Sequence, residues 1–163
     1  MMTNKFRKSP LICLIISLFH LAIGKLRLTD LYLDKTVLMK DNSKCKIFRH
    51  ITIKNVHDDA ESTVFIVSFK FSRLSHKANK KASIIPMLLI TGFPGFVKKI
   101  YAVNPENGYW HGIYQWKSIK YLEEYKKSFV FRIMKKRAIR GSIHSFEIDN
   151  KNLFNFIDGS LLK

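Results

Sequence analysis

Hydrophobic and polar positions fall into a legible order from residue 63 onward. Thr63 to Phe71 is β-branched and aromatic without a breaker, which predicts a strand buried on both faces or nearly so. Ser72 predicts a helix cap. Leu74, Ala78, Ala82, Ile85 and Leu89 then recur at spacings of three and four, the mark of an amphipathic helix. Pro86 should kink that helix and Gly92 should end it. Val97 to Val103 alternates, with Val97, Lys99, Tyr101 and Val103 on one face. Asn104-Pro105-Glu106-Asn107-Gly108 is turn chemistry, and Tyr109 to Trp116 is the returning strand of a hairpin. Ser118 is a second cap candidate. Ile119, Leu122, Phe129 and Ile133 make the apolar stripe of a second helix, and Gly141 closes it. Ser142 to Ile148 is a last strand with Ile143, Phe146 and Ile148 as core candidates.

The order is therefore strand–helix–strand–strand–helix–strand over residues 61–149. This predicts an α+β fold, the ferredoxin-like split β-α-β plait, with a four-stranded antiparallel sheet and two helices on one face. The other face then needs a cover, either a second copy of the sheet or residues 26–56. Residues 25–60 are apolar at mixed spacing and read as a linker or extension, with a short strand at Ile51 to Ile53. The tail, residues 150–163, carries Leu153, Phe154, Phe156 and Ile157, which suits a short helix packed on the domain or on a partner.

Residues 1–24 change the picture at the amino terminus. Lys5, Arg7 and Lys8 precede an uncharged apolar run, Leu11 to Gly24, that closes on Ala22-Ile23-Gly24. Signal peptide and short uncleaved membrane anchor both fit, and the chain is expected to be exported or membrane-anchored through this hydrophobic helix.

The chain has 163 residues and a net charge of +17, from 29 Lys and Arg against 12 Asp and Glu. Such a surface suits simple solubility, an anionic membrane or a nucleic acid. Lys supplies most of the positive charge and lies in scattered pairs, whereas base and phosphate readers favour Arg. The aromatic-glycine signature of RNA-recognition plaits is missing from the hairpin, which argues against nucleic acid. Two cysteines, Cys13 and Cys45, exclude a disulfide scaffold and multi-cysteine metal sites. His57-Asp58-Asp59 has no second cluster at ligand spacing, so no metal is expected.

Candidate chemistry gathers on the hairpin. His111 has the side chain of a general base. Trp110, Tyr114 and Trp116 share the opposite strand face and could wall a pocket for a flat aromatic ligand, and Gly112 between them leaves room. Tyr101 joins His111 if the hairpin register pairs them. His76 sits one turn into the first helix, within reach of a sheet–helix pocket. No nucleophilic triad, phosphate loop or dinucleotide fingerprint occurs.

Ile85-Pro-Met-Leu-Leu-Ile-Thr-Gly-Phe-Pro-Gly-Phe96, Lys99-Ile-Tyr101, Gly112-Ile-Tyr-Gln-Trp116 and Gly141-Ser-Ile143 together resemble small bacterial proteins of the dimeric α+β barrel superfamily, related to antibiotic-biosynthesis monooxygenases. The resemblance covers residues 62–148. It implies a homodimer with two sheets face to face, a pocket between each sheet and its helices, and a hydrophobic leader followed by a poorly ordered spacer. Relatives of this kind oxidise polycyclic aromatic substrates without a cofactor, or bind or degrade haem. The expected function is a monooxygenase-like protein binding a small hydrophobic or aromatic ligand. The alternative is a non-catalytic basic module on an anionic membrane or nucleic acid. Gln115 stands where such proteins often carry an acid, which removes a carboxylate from the strand.

Overall fold

The computed structural model describes residues 9–54, 61–72, 75–149 and 151–162. Among the described residues seven strands form one sheet: β1 (Leu26–Leu28), β2 (Thr36–Leu38), β3 (Lys44–Ile53), β4 (Thr63–Phe69), β5 (Phe96–Val103), β6 (Trp110–Trp116) and β7 (His144–Ile148). The helices are α1 (Pro10–Ala22), α2 (His76–Ala82), α3 (Ile84–Thr91), α4 (Ile119–Lys126), α5 (Phe129–Arg137) and α6 (Leu153–Asp158). The strand order is β1-β3-β5-β6-β4-β7, with β2 also on the outer edge of β3. All pairs are antiparallel. The inner order β5-β6-β4-β7 is the ferredoxin-like plait that the sequence predicts.

The hairpin forms for the reasons the sequence offers. The Asn104 side chain accepts from the Glu106 and Asn107 amides at 2.8 and 3.1 Å, and Gly108 takes a φ of +75°. Each predicted helix, however, is two. The first breaks at Ser83 rather than at Pro86, and its cap is Ser75, which accepts from the Ala78 amide. Pro86 then falls in the first turn of α3, where no backbone donor is required. The second breaks at Ser128, whose hydroxyl accepts from the Phe131 amide and starts α5.

Residues 25–54 carry three strands, β1 to β3, rather than a poorly ordered spacer. These strands widen the sheet beyond β5, and Tyr32 and Val37 from the same segment also pack over its second face. A bulge between Ile47 and Arg49 reverses the facing of β3: Cys45 and Ile47 point to one side, Ile51 and Ile53 to the other. His57-Asp58-Asp59 lies outside the described residues.

Two cores result. The larger, on the helix face, joins β4, β5 and β6 to α3, α4 and α5 through Phe65, Trp116, Leu122 and Tyr125. The smaller covers the second face. Tyr32, Val37, Leu153 and Ile157 pack there on Ile47, Ile66, Ile100 and Ile113. Gln115 fixes this cover: its Oε1 accepts from the Leu153 amide at 3.1 Å, and its Nε2 donates to Ser62 Oγ at 3.2 Å. The chain thus shields with its own tail much of the face that a paired-sheet dimer would use.

Helix α1 lies on α3. Ser17 and Thr91 hydroxyls are 2.5 Å apart, and a Cβ on Gly92 would overlap the Cys13 carbonyl, so only glycine allows this approach. At 13 residues α1 is too short to span a bilayer, and among the described residues no helix is long and apolar enough to cross a membrane.

Candidate functional site

The strands dictate which predicted residues can meet. Ala102 and Ser68 stand opposite His111, and Tyr101 stands opposite Gly112. Because facing alternates along a strand, Tyr101, Trp110, Gly112, Tyr114 and Trp116 belong to the helix face. His111 belongs to the face covered by α6. Tyr101 therefore does not join His111, and the aromatic wall and the imidazole sit on opposite sides of the sheet.

On the helix face, a cavity of about 50 Å³ lies between the strands and α3 and α5. Phe69, Phe71, Lys99, Tyr101, Trp110 and Tyr114 wall it, and the half-buried Pro86, Ile133 and Met134 lie at its outer side. Trp110 is held from three directions. Its Nε1–H donates to His76 Nδ1 at 3.0 Å, its ring stacks on the imidazole at 5.8 Å, and the edges of Phe48 and Phe71 approach at 5.1 and 5.0 Å. In that bond His76 Nδ1 is the acceptor, which leaves Nε2 as its donor nitrogen. His76 reaches the site only through Trp110 and does not line the cavity.

Gly112 acts differently from the expectation. A Cβ there would meet the Tyr114 ring at 2.6 to 3.0 Å, so the missing side chain seats Tyr114 rather than leaving a vacancy. Tyr114 in turn hydrogen-bonds Tyr125, and burial holds both phenols well above the ordinary tyrosine range. Trp116 lies outside the cavity, fully buried against Tyr125 at 4.8 Å, and is a core residue.

Two groups were not visible as site residues in the sequence. Lys99 is 7% exposed, with Nζ 3.8 Å from the Tyr101 ring centre and 4.3 Å from that of Tyr114. Burial, seconded by Arg49, holds its amine well below the usual lysine range. Arg49 lies beside this wall. Its Nη1 donates to Ser83 Oγ at 2.7 Å, its Nη2 donates to the Lys80 carbonyl at 3.1 Å, and its guanidinium is 5.3 Å from the Tyr101 ring. The Tyr101 hydroxyl is buried and has no hydrogen-bond partner among the described residues. The signal for Lys99 was its place on the same strand face as Tyr101 and Val103.

On the other face, His111 opens on a groove of about 500 Å³ with Asp41, Ser68, Tyr109 and His144. Burial pushes its imidazole down to about 4, with Asp41 pulling weakly the other way. Among the described residues neither ring nitrogen has a partner, and no group of three metal-ligating side chains occurs. A haem, which the resemblance leaves open, does not fit the helix-face cavity. That space is smaller than a benzene ring requires; His76 Nδ1 is taken by Trp110, and His111, although its strand position borders the space, turns its imidazole to the opposite face by strand alternation.

No protein-family model matches the chain, and no curated protein matches it. Solved structures do. An uncharacterised ferredoxin-fold protein related to antibiotic-biosynthesis monooxygenases, from Listeria monocytogenes, aligns with a TM-score of 0.51 and 13% identity over 71% of this chain and 69% of that one. A candidate monooxygenase from Lactobacillus acidophilus aligns with a TM-score of 0.50 and 10% identity over 67% of this chain and 52% of that one. The likeness is one of fold: the chain has the ferredoxin-like α+β architecture of these monooxygenase-related proteins.

Proposed function

We propose that this protein binds a small apolar or aromatic molecule in the cavity between the sheet and helices α3 and α5. The observation that carries the proposal is the wall itself: Phe69, Phe71, Tyr101, Trp110 and Tyr114 converge on one space. Aromatic faces of this kind favour flat ligands. At about 50 Å³ the resting space is smaller than the ~150 Å³ that accommodates benzene, so a ligand widens it by moving the flexible Met134 and the α5 side chains around it. His111 lies across the sheet and does not reach a ligand held here. The monooxygenase-like likeness is to the fold that builds such a cavity. Titration with 4-nitroanisole, followed by quenching of tryptophan emission, tests the proposal. Saturable quenching that is lost in Trp110→Leu supports it. Linear quenching that survives the substitution contradicts it.

A second reading rests on α1. Leu11, Ile15, Leu18 and Phe19 form one stripe at helical spacing, each 47–64% exposed, while Cys13 and Ser17 face α3. With a net charge of +17, this stripe suits an in-plane seat on an anionic lipid surface. Co-sedimentation with phosphatidylglycerol-containing vesicles should fall at least about tenfold in Ile15→Glu/Phe19→Glu. Unchanged sedimentation would remove α1 from the account. A homodimer, which the resemblance implies, would meet a second face already partly covered by Tyr32, Val37, Leu153 and Ile157.

A further inference from the structure

An apolar ligand would leave two polar groups of the cavity without a match. Lys99 brings an amine to the wall, and Tyr101 brings a buried hydroxyl with no partner among the described residues. Among the described residues no acidic side chain lines the cavity. The surrounding charge is all of one sign, because Arg49 stands behind Tyr101 and Arg137 stands at the rim. Arg137 is held there by Asn79 Oδ1 at 3.0 Å and lies over the Phe71 ring at 4.7 Å. A lysine sealed among tyrosine rings without a carboxylate is costly as an ammonium, since buried charges need a paired partner.

We infer that the ligand of this cavity is a weak organic acid, an acidic hydroxyl on a small apolar body, whose oxygen pairs with Lys99 Nζ and accepts from the Tyr101 hydroxyl. This rests on the reading of the cavity as a ligand site. The step is a proton transfer: the ligand O–H bond breaks, its proton bonds to the free electron pair of Nζ, and an ammonium and an oxyanion form side by side. Nothing is oxidised or reduced. The depressed basicity of free Lys99 fits this step, because burial disfavours a lone ammonium and an oxyanion formed beside it offsets that cost. The rings of Tyr101 and Tyr114 flank the new ammonium, which adds a cation–π contribution. Tyr114 and Tyr125 are engaged with one another, so Tyr101 is the hydroxyl left to donate.

A matched pair of probes separates this inference from the reading beneath it. 4-Nitroanisole and 4-nitrophenol share a ring and differ by a methyl in place of the acidic proton. At a pH below the phenol's own pKa, the wild-type chain should bind 4-nitrophenol about tenfold more tightly than 4-nitroanisole. The bound phenol should also show the yellow absorption of its anion. Lys99→Met keeps the apolar stem and should bind both probes alike, with the phenol colourless. Tyr101→Phe, which loses only a hydroxyl, should keep part of the preference and serves if Lys99→Met fails to fold. Equal binding of both probes by the wild type, or an unchanged preference in the folded Lys99→Met and Tyr101→Phe variants, overturns the inference and leaves the cavity standing. Binding of neither probe overturns both.

Discussion

Trp116→Ala should lower the unfolding free energy by about 4 kcal/mol, within the range for deleting a fully packed tryptophan. Trp116 has no exposed surface. It stacks on Tyr125 at 4.8 Å, and the edges of Phe93 and Phe96 meet it at 6.0 and 5.9 Å. These partners come from β5, α4 and the turn before β5, three segments whose backbones cannot all move inward. The cavity left behind would therefore stay largely open, and its cost adds to the lost transfer term. Domains of this size have roughly 5–15 kcal/mol of stability in all, so the variant should be close to the edge of folding at 37 °C. Urea denaturation checks this: the midpoint should fall sharply with the slope unchanged. A midpoint close to that of the wild type would mean that Trp116 is not the centre of the helix-face core.

Acid should destabilise the protein between pH 6.5 and about 4, through two histidines on the second face. His50 is held down to about 4 by burial and then by Lys98, and His111 to about 4 by burial. The His50 ring lies in apolar company: Tyr32 and Phe154 pack on it at 5.6 and 5.9 Å. The unfolded chain takes up both protons near pH 6.5, while the folded chain resists until about 4. A folded-state pKa below the unfolded value stabilises the fold above pH 6.5. That stability drains away as pH falls through the window, by on the order of 2 kcal/mol per histidine. Stability measured by denaturant at several pH values should show this slope, and His50→Leu/His111→Leu should flatten it. A wild-type profile already flat across the window would show that neither imidazole is sealed from water.

The hairpin and the central strands were legible because their signals are local. β-branched runs, an Asn-Gly turn and strict alternation act within a few residues and need no partner to be read. The alternation also holds in detail: it puts Trp110, Tyr114 and Trp116 on one face and His111 on the other, and the structure keeps them there. Joining them into one site set that alternation aside. The helix breaks at Ser83 and Ser128 were hidden, because one serine inside an apolar stripe reads as a polar helical position as readily as a cap. Strand β3 was hidden by its bulge, which moves the apolar positions from one face to the other halfway along and cancels the period-two signal. The cover of the second face was hidden for a longer-range reason. It depends on Gln115 capturing the Leu153 amide, a contact across 38 residues. Lys99 was passed over because a lysine on a strand reads as solvated. Only the lid formed by α3 and α5 over that strand face turns it into a cavity wall.

The most direct test of the cavity as the ligand site uses methionine methyl groups as reporters. The chain has five methionines. Met134 lines the helix-face cavity and Met39 lines the groove on the second face beside His111. With ¹³C-methyl methionine labelling, titration with 4-nitroanisole should shift the Met134 resonance progressively to saturation and leave Met39 in place. A Met39 shift with Met134 unmoved would put the ligand on the His111 side of the sheet and contradict the account.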